Sequence, residues 1–384
     1  MAISDPIRVG VLFSQSGPIS TIGTSQMQGT LLAIDEINEA GGIDGRPIEP
    51  VVYDPRSDPA TYARLAERMV SVDGVKVIFG CYMSSSRKAV IPIVEKWNRL
   101  LFYPTLYEGF EFSPNVIYTG AAPNQNSVQL ARYMTSNFGA RVYLVGSDYI
   151  YPYESNRIMR ELVLQHPDSA KIAECYVPLD ATEADFTKIV NDIRDSRPDF
   201  IFSTVVGDST TAFYRAYAEA GLDPRVMPIA SLTTSEAEVS QMGRHAAAGH
   251  ITAAPYFQSI DSPLNLRLLA RFRRRFGDHV IPNLCWEAAY LQMHVFADAM
   301  ARAGSDEIEP LLPQILGTEF DAPQGRIRIE PSNHHTWVYP RLGRVDATGQ
   351  FTILQESLRP VRPDPYLVNL ALGDWAVNLS AEEC

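Results

Sequence analysis

Val75-Lys-Val-Ile-Phe79, then Gly80-Cys-Tyr-Met-Ser84-Ser-Ser86, then Arg87-Lys-Ala-Val90-Ile-Pro-Ile-Val94 form the stretch that decides the fold. The first run is short, apolar and rich in β-branched residues, which predicts a buried strand over 75–79. The second is small and hydroxyl-bearing, and serines there predict a helix cap. The third predicts a helix over 85–97. Strand, polar turn and helix in that order are the start of a βα unit.

The same order repeats outward. Upstream lie a strand over 7–14, a helix over 26–40 closed by Gly41-Gly42, a strand over 48–53 and a helix opening at Asp58-Pro59. Downstream come strands over 100–103 and 116–119. After Gly120-Ala-Ala-Pro-Asn124 the alternation resumes, with strands over 141–145, 172–177, 200–204, 226–230 and 250–256. Helices over 127–138, 153–164, 186–196, 210–220 and 236–241 separate them. Helical patterns follow over 265–276, 287–303 and 309–316, and the chain from Gly325 is richer in strand and turn signals. Repeated βα units predict an α/β protein with two doubly wound parallel-sheet lobes, divided near Ala121.

Composition narrows the function. At roughly 150 residues per domain, 384 residues predict two domains or three. The chain carries 33 Lys+Arg against 45 Asp+Glu, a net charge of -12, which argues against direct nucleic-acid binding. No run of about 18 apolar residues exists to span a membrane. Met1-Ala-Ile-Ser-Asp-Pro6 leads straight into a strand with no secretory signal. That predicts a cytoplasmic protein, or a periplasmic one whose signal has been removed. Cys81, Cys175, Cys285 and Cys384 are widely spaced and read as reduced thiols. His334-His335 reads as a surface loop or strand end, with no metal and no cofactor implied. Arg271–Arg275 reads as a solvated helix face with salt bridges.

Catalytic signals are weak. Phosphate-loop, dinucleotide, nucleophile-elbow and zinc-protease motifs are absent from the sequence. Ser85-Ser-Arg-Lys88 fits S-x-x-K without its companion motifs. Cys81 with Glu108 and Lys88 could be read as a nucleophile with its helpers, but a Cys ending a strand is more often core packing. The sequence therefore predicts a protein that is not an enzyme.

In doubly wound sheets, ligands sit beyond the carboxyl ends of the strands. There the sequence places Tyr82, Tyr103, Tyr107, Tyr149 and Tyr151, with Ser and Thr among them. Rings with hydroxyl handles predict a small, neutral, polar ligand.

Gly80-Cys-Tyr-Met-Ser84, Arg87-Lys-Ala-Val90, Tyr107-Glu-Gly-Phe-Glu111, Ala122-Pro-Asn-Gln-Asn126 and Gly146-Ser-Asp-Tyr149 resemble one branch of the type I periplasmic-binding-protein superfamily. The branch holds the urea-binding proteins of ABC transporters and the cytoplasmic amide sensors of amidase operons. Thr233-Thr-Ser-Glu-Ala-Glu-Val239 and Arg362-Pro-Asp-Pro-Tyr366 look like the sensor, whereas Gly207-Asp-Ser209 looks like the urea-binding proteins. The resemblance implies a ligand cleft between lobes of 6–121 plus 256–333 and of 122–255 plus 334–384. It implies a short aliphatic amide held by Ser84, with Thr105 and Tyr149 adding hydrogen bonds. Tyr82, Tyr103 and Val206 would wall the ligand, and Thr233 would stand at the second lobe's rim. For the sensor it implies a negative regulator that sequesters a response-regulator-like, RNA-binding antiterminator until amide releases it. The alternative is an ABC-transporter solute receptor for urea, short amides or branched-chain amino acids. A homodimer is compatible with either.

Overall fold

The computed structural model describes residues 5–278 and 280–368 and the backbone of 379–381. The chain opens with β1 (Ile7–Leu12), α1 (Ser20–Glu39), β2 (Ile48–Tyr53), α2 (Pro59–Ser71), β3 (Val77–Gly80), α3 (Ser84–Lys96), β4 (Leu100–Tyr103) and β5 (Val116–Tyr118). It continues through α4 (Ser127–Asn137), β6 (Arg141–Ser147), α5 (Ile150–Val163), β7 (Ala170–Val177), α6 (Glu183–Ser196), β8 (Phe200–Thr204) and α7 (Asp208–Glu219). Next come β9 (Ile229–Ser231), α8 (Glu236–Met242), α9 (Arg244–Ala247), β10 (Ile251–Ala254), α10 (Pro263–Phe276), α11 (Leu284–Ala303) and α12 (Ile308–Ile315). The last strands are β11 (Glu319–Ala322), β12 (Gly325–Ile329), β13 (Thr336–Trp337), β14 (Arg341–Val345), β15 (Phe351–Ser357) and β16 (Leu379–Ala381).

Two compact units share these elements. The first comprises residues up to Leu106, Glu111–Ala121 and Ser262–Trp337. The second comprises Tyr107–Phe110, Ala122–Asp261 and the chain from Val338. The first unit's main sheet is parallel, in the order β2-β1-β3-β4-β5. The second unit repeats that order as β7-β6-β8-β9-β10, again parallel. Both expected doubly wound sheets are therefore present. The strand signals after Gly325 resolve into two things. Strands β11–β13 form a separate antiparallel sheet in the first unit, and β14–β16 extend the second sheet by antiparallel pairing.

Packing explains the burial pattern of each strand. Every residue of β3 and β4 is buried, as expected for strands covered on both faces. Phe79 stacks on Phe102 with ring centroids 4.9 Å apart, and Phe296 of α11 meets Phe79 edge-on at 5.5 Å. Helices α1 and α11 pack closely because Gly29 leaves room. A Cβ there would lie 2.4 Å from the Trp286 carbonyl oxygen. In the second unit Phe186 and Phe213 meet at 5.0 Å between α6 and α7.

Helix α1 starts at Ser20, earlier than the expected Gln26. Its first turn lacks apolar periodicity and is held instead by close approach to the end of β1. A Cβ on Gly23 would fall 2.0 Å from the Ser14 carbonyl oxygen. The histidine pair is not on the surface: His335 is 0% exposed and stacks on Tyr118 at 4.2 Å, and His334 is buried too. Cys81, Cys175 and Cys285 form no disulfide among the described residues, and Cys384 lies outside them. On α10, Arg271 pairs with Glu36 at 2.9 Å and with Glu39, and Arg275 pairs with Asp35 at 2.7 Å. The basic stretch is thus a paired helix face. Among the described residues no helix is long and apolar enough to cross a membrane.

Candidate ligand site

In a sheet of this order the strand order reverses between the first and third strands of the fold, and ligands bind beyond the carboxyl ends there. In the first unit those strands are β1 and β3, and in the second β6 and β8. The helices that follow them are α1, α3, α5 and α7, and none starts with a side-chain cap. Helices α6, α9 and α12 also start without one, whereas α2, α4, α8, α10 and α11 are capped by Asp58, Asn126, Ser235, Ser262 and Asn283. Uncapped helix starts place backbone donors where a polar ligand can meet them.

In the first unit β3 ends at Gly80, and Cys81 turns the chain with φ at +72°. That left-handed conformation is uncommon for a residue with a Cβ. The Cys81 N–H donates to the Leu12 carbonyl at 3.1 Å, tying the ends of β1 and β3. The expected serine cap is absent: the cap position is Met83, and Ser84 is the first helical residue. The Ser86 hydroxyl turns back to the Met83 carbonyl at 2.7 Å. Ser84 accepts instead from the Arg87 guanidinium at 3.1 Å, an i, i+3 contact along the helix. The Tyr103 hydroxyl donates to the Tyr82 carbonyl at 2.6 Å. Thr105 accepts from the Gln26 side chain at 2.9 Å. The structure thus brings Tyr82, Ser84, Tyr103 and Thr105 together at the ends of β3 and β4.

Charge stands directly behind these groups, although the loops suggested none. Arg87 is fully buried, and its guanidinium lies 4.8 Å from the Tyr103 ring centroid. It bonds Glu111 at 2.7 and 3.3 Å, and Lys88 reaches the same carboxylate at 2.8 Å. Tyr118 donates to Glu111 at 3.0 Å. Burial alone would raise the Glu111 carboxyl. The Arg87 charge and the hydrogen bonds from Arg87 and Lys88 outweigh it and hold the group at about 2. Lys88 is therefore an ion-pair partner rather than a base for Ser85. Burial pushes the Cys81 thiol up to about 12, which makes it inert as a nucleophile.

Gly120 lines the same region from the end of β5. A Cβ there would fall 2.1 Å from the Thr105 carbonyl carbon and 2.3 Å from the Leu106 nitrogen. Gly120→Ala should cost about 1–3 kcal/mol by overpacking and displace Thr105. Denaturation together with ligand titration checks both effects.

The second unit has a matching cluster. The Ser147 hydroxyl at the end of β6 accepts from the Val206 N–H at 3.2 Å. The Thr233 hydroxyl donates to the Val205 carbonyl at 3.3 Å, and its N–H donates to Ser231 at 3.1 Å. Thr233 therefore meets Val205, the residue before Val206, where the chain leaves β8 and β9. Tyr149, two residues beyond Ser147, is the N-cap residue of α5, and its N–H donates to the Ser147 carbonyl at 2.9 Å. Its ring is partly exposed and 6.2 Å from that of Tyr151. A separate groove of about 470 Å³, lined by residues 259–261 and 351–356, includes none of the predicted residues.

Sequence reading missed Gln26, Arg87 as a buried partner of Glu111, and Ser147. Arg87 carried a usable signal, since three residues separate it from Ser84 on a predicted helix. Gln26 and Glu111 carried none.

Residues 7–371 match the periplasmic binding protein domain. The chain belongs to the periplasmic binding protein family. This binding protein is 27% identical over 341 residues to a Leu/Ile/Val-binding protein homolog of Brucella suis, covering 87% of this chain and 86% of the relative. It is 24% identical to a leucine-, isoleucine-, valine-, threonine- and alanine-binding protein of Pseudomonas aeruginosa, covering 85% and 86%. In fold it is similar to an ABC-transporter solute-binding protein from Rhodopseudomonas palustris in complex with 3,4-dihydroxybenzoic acid. That match has a TM-score of 0.84 and 21% identity, covering 93% of this chain and 98% of the other. A branched-chain amino acid binding protein of Streptococcus pneumoniae in complex with isoleucine matches with a TM-score of 0.80 and 19% identity, covering 93% and 100%.

Proposed function

We propose that this chain is the solute-binding component of an ABC-type importer, working in the periplasm, and that its solute is a small neutral molecule such as a short amide or urea. The observation that carries the reading is the set of uncapped helix starts at the strand-order reversals, beside hydroxyls and tyrosines. Such a set offers hydrogen bonds without a dedicated counter-ion, because Arg87 is already paired with Glu111. Membership of the family and the named relatives weigh toward a transport receptor. The amidase-operon sensor, with its antiterminator partner and cytoplasmic location, draws support from sequence strings alone and yields to the receptor. The relatives are binding proteins, and the buried Cys81 and ion-paired Lys88 weigh against the two catalytic readings.

Calorimetric titration with acetamide, propionamide, urea, leucine and 4-hydroxybenzoate tests the reading. Binding of the amides or urea, with leucine and the aromatic acid silent, is expected. Binding of leucine or the aromatic acid alone would assign a carboxylate ligand instead. Tyr149→Phe should weaken binding about 3–10-fold, the worth of one hydrogen bond, with an unchanged unfolding midpoint. Unchanged affinity would remove Tyr149 from the site.

A further inference from the structure

We propose that Gln26 makes the first unit's strand-end site select a carboxamide or urea group over a carboxylate. This deepens the reading above and rests on it. Gln26 lies on α1 with 0% exposure. Its side-chain nitrogen is 3.4 Å from the Pro104 carbonyl oxygen and 2.9 Å from the Thr105 hydroxyl. A carbonyl oxygen can only accept, so the end of the amide facing Pro104 is the NH2. The same NH2 donates to Thr105, whose hydroxyl is therefore an acceptor in that contact. The Thr105 proton points elsewhere, and no acceptor among the described residues receives it. At the other end of the same planar amide, the Gln26 Oε1 is buried with no partner among the described residues.

The two unmet valences differ in kind. Thr105 has a hydrogen to give, and Gln26 has an oxygen that needs one. Buried groups of either kind are costly when left unpaired. A carboxamide or urea supplies both partners, its carbonyl to Thr105 and its N–H to Gln26. A carboxylate satisfies Thr105 and brings no hydrogen to Gln26, so two acceptors are left competing for one donor. A site built to hydrogen-bond an N–H rejects the analogue that lacks it.

The test compares isosteric pairs on the full chain by calorimetry: propionamide with propionate, leucinamide with leucine, and propionamide with butanone. The ketone keeps the carbonyl and replaces NH2 by CH3. Wild-type protein should bind propionamide at least about tenfold more tightly than propionate or butanone. Gln26→Met should bring these ratios within about threefold, whatever it does to absolute affinity. Butanone equal to propionamide on the wild-type protein would overturn the proposal without any mutant having to fold. So would unchanged ratios in Gln26→Met, and in both cases amide binding itself would leave the transport reading standing. A wild-type protein that binds only leucine or propionate would overturn the reading, and the role of Gln26 with it.

Discussion

Glu111→Gln should destabilise the protein by about 3–5 kcal/mol, the cost of leaving a buried charge without its counter-charge. The stranded group would be the Arg87 guanidinium, whose side chain is 0% exposed. The opposite change should cost less. In Arg87→Met the Glu111 carboxylate keeps Lys88 at 2.8 Å, and that lysine side chain is 46% exposed and hydrated. It also keeps the Tyr118 hydroxyl at 3.0 Å. Combining both changes should restore part of what Glu111→Gln loses, because no naked charge then remains. Urea denaturation of the three variants checks the order. A loss below about 1 kcal/mol for Glu111→Gln, in the range of an exposed pair, would show that water reaches Arg87.

The second large effect is on pH. Glu236 and Glu238 begin α8 and are both buried. Burial pushes Glu236 up to about 8, its neighbour Glu238 adding to the rise while the Gln258 N–H, 2.7 Å away, opposes it. Burial also pushes Glu238 up to about 7, against hydrogen bonds from Ser235. An unfolded chain releases both protons near 4.5. Between that value and about 8 the native state therefore holds protons that the unfolded state has lost, and stability falls as pH rises through the window. The Glu236 share is on the order of 5 kcal/mol, at about 1.4 kcal/mol per pKa unit. Glu236→Gln keeps an acceptor for Gln258 and cannot ionise. Its unfolding midpoint should fall less between pH 5 and pH 8 than that of the wild type, and should exceed it at pH 8. Parallel pH profiles would mean that the wild-type carboxyl is already ionised in the fold.

The sheets were legible because each strand announces itself by composition and each βα turn by its punctuation. Strands over 100–103 and 200–204 stand where the residues placed them. Tyr82, Ser84, Tyr103 and Thr105 were legible as strand-end residues for the same reason. What escaped was whatever depends on contacts distant in sequence. The first turn of α1 is set by Ser14 against Gly23, which no periodicity encodes. Glu111 meets Arg87 across 24 positions, and Gln26 meets Thr105 across 79. His335 looked polar and exposed, yet it enters the core because Tyr118 offers a ring to stack on. Resemblance supplied the family, while the ligand hangs on contacts such as that of Gln26, which short strings do not carry.

The pairing of α1 with α11 also has a consequence on the ribosome. Roughly 250 residues separate Glu39 from Leu284, the facing ends of these helices in sequence. At about 5–20 residues per second, the face of α1 that α11 will cover waits about 10–50 s after its own synthesis. Until α11 has been made, that face of α1 lacks the helix that covers it. No early release of a finished first half is available to the chain, because that half closes only with a helix from near the other end.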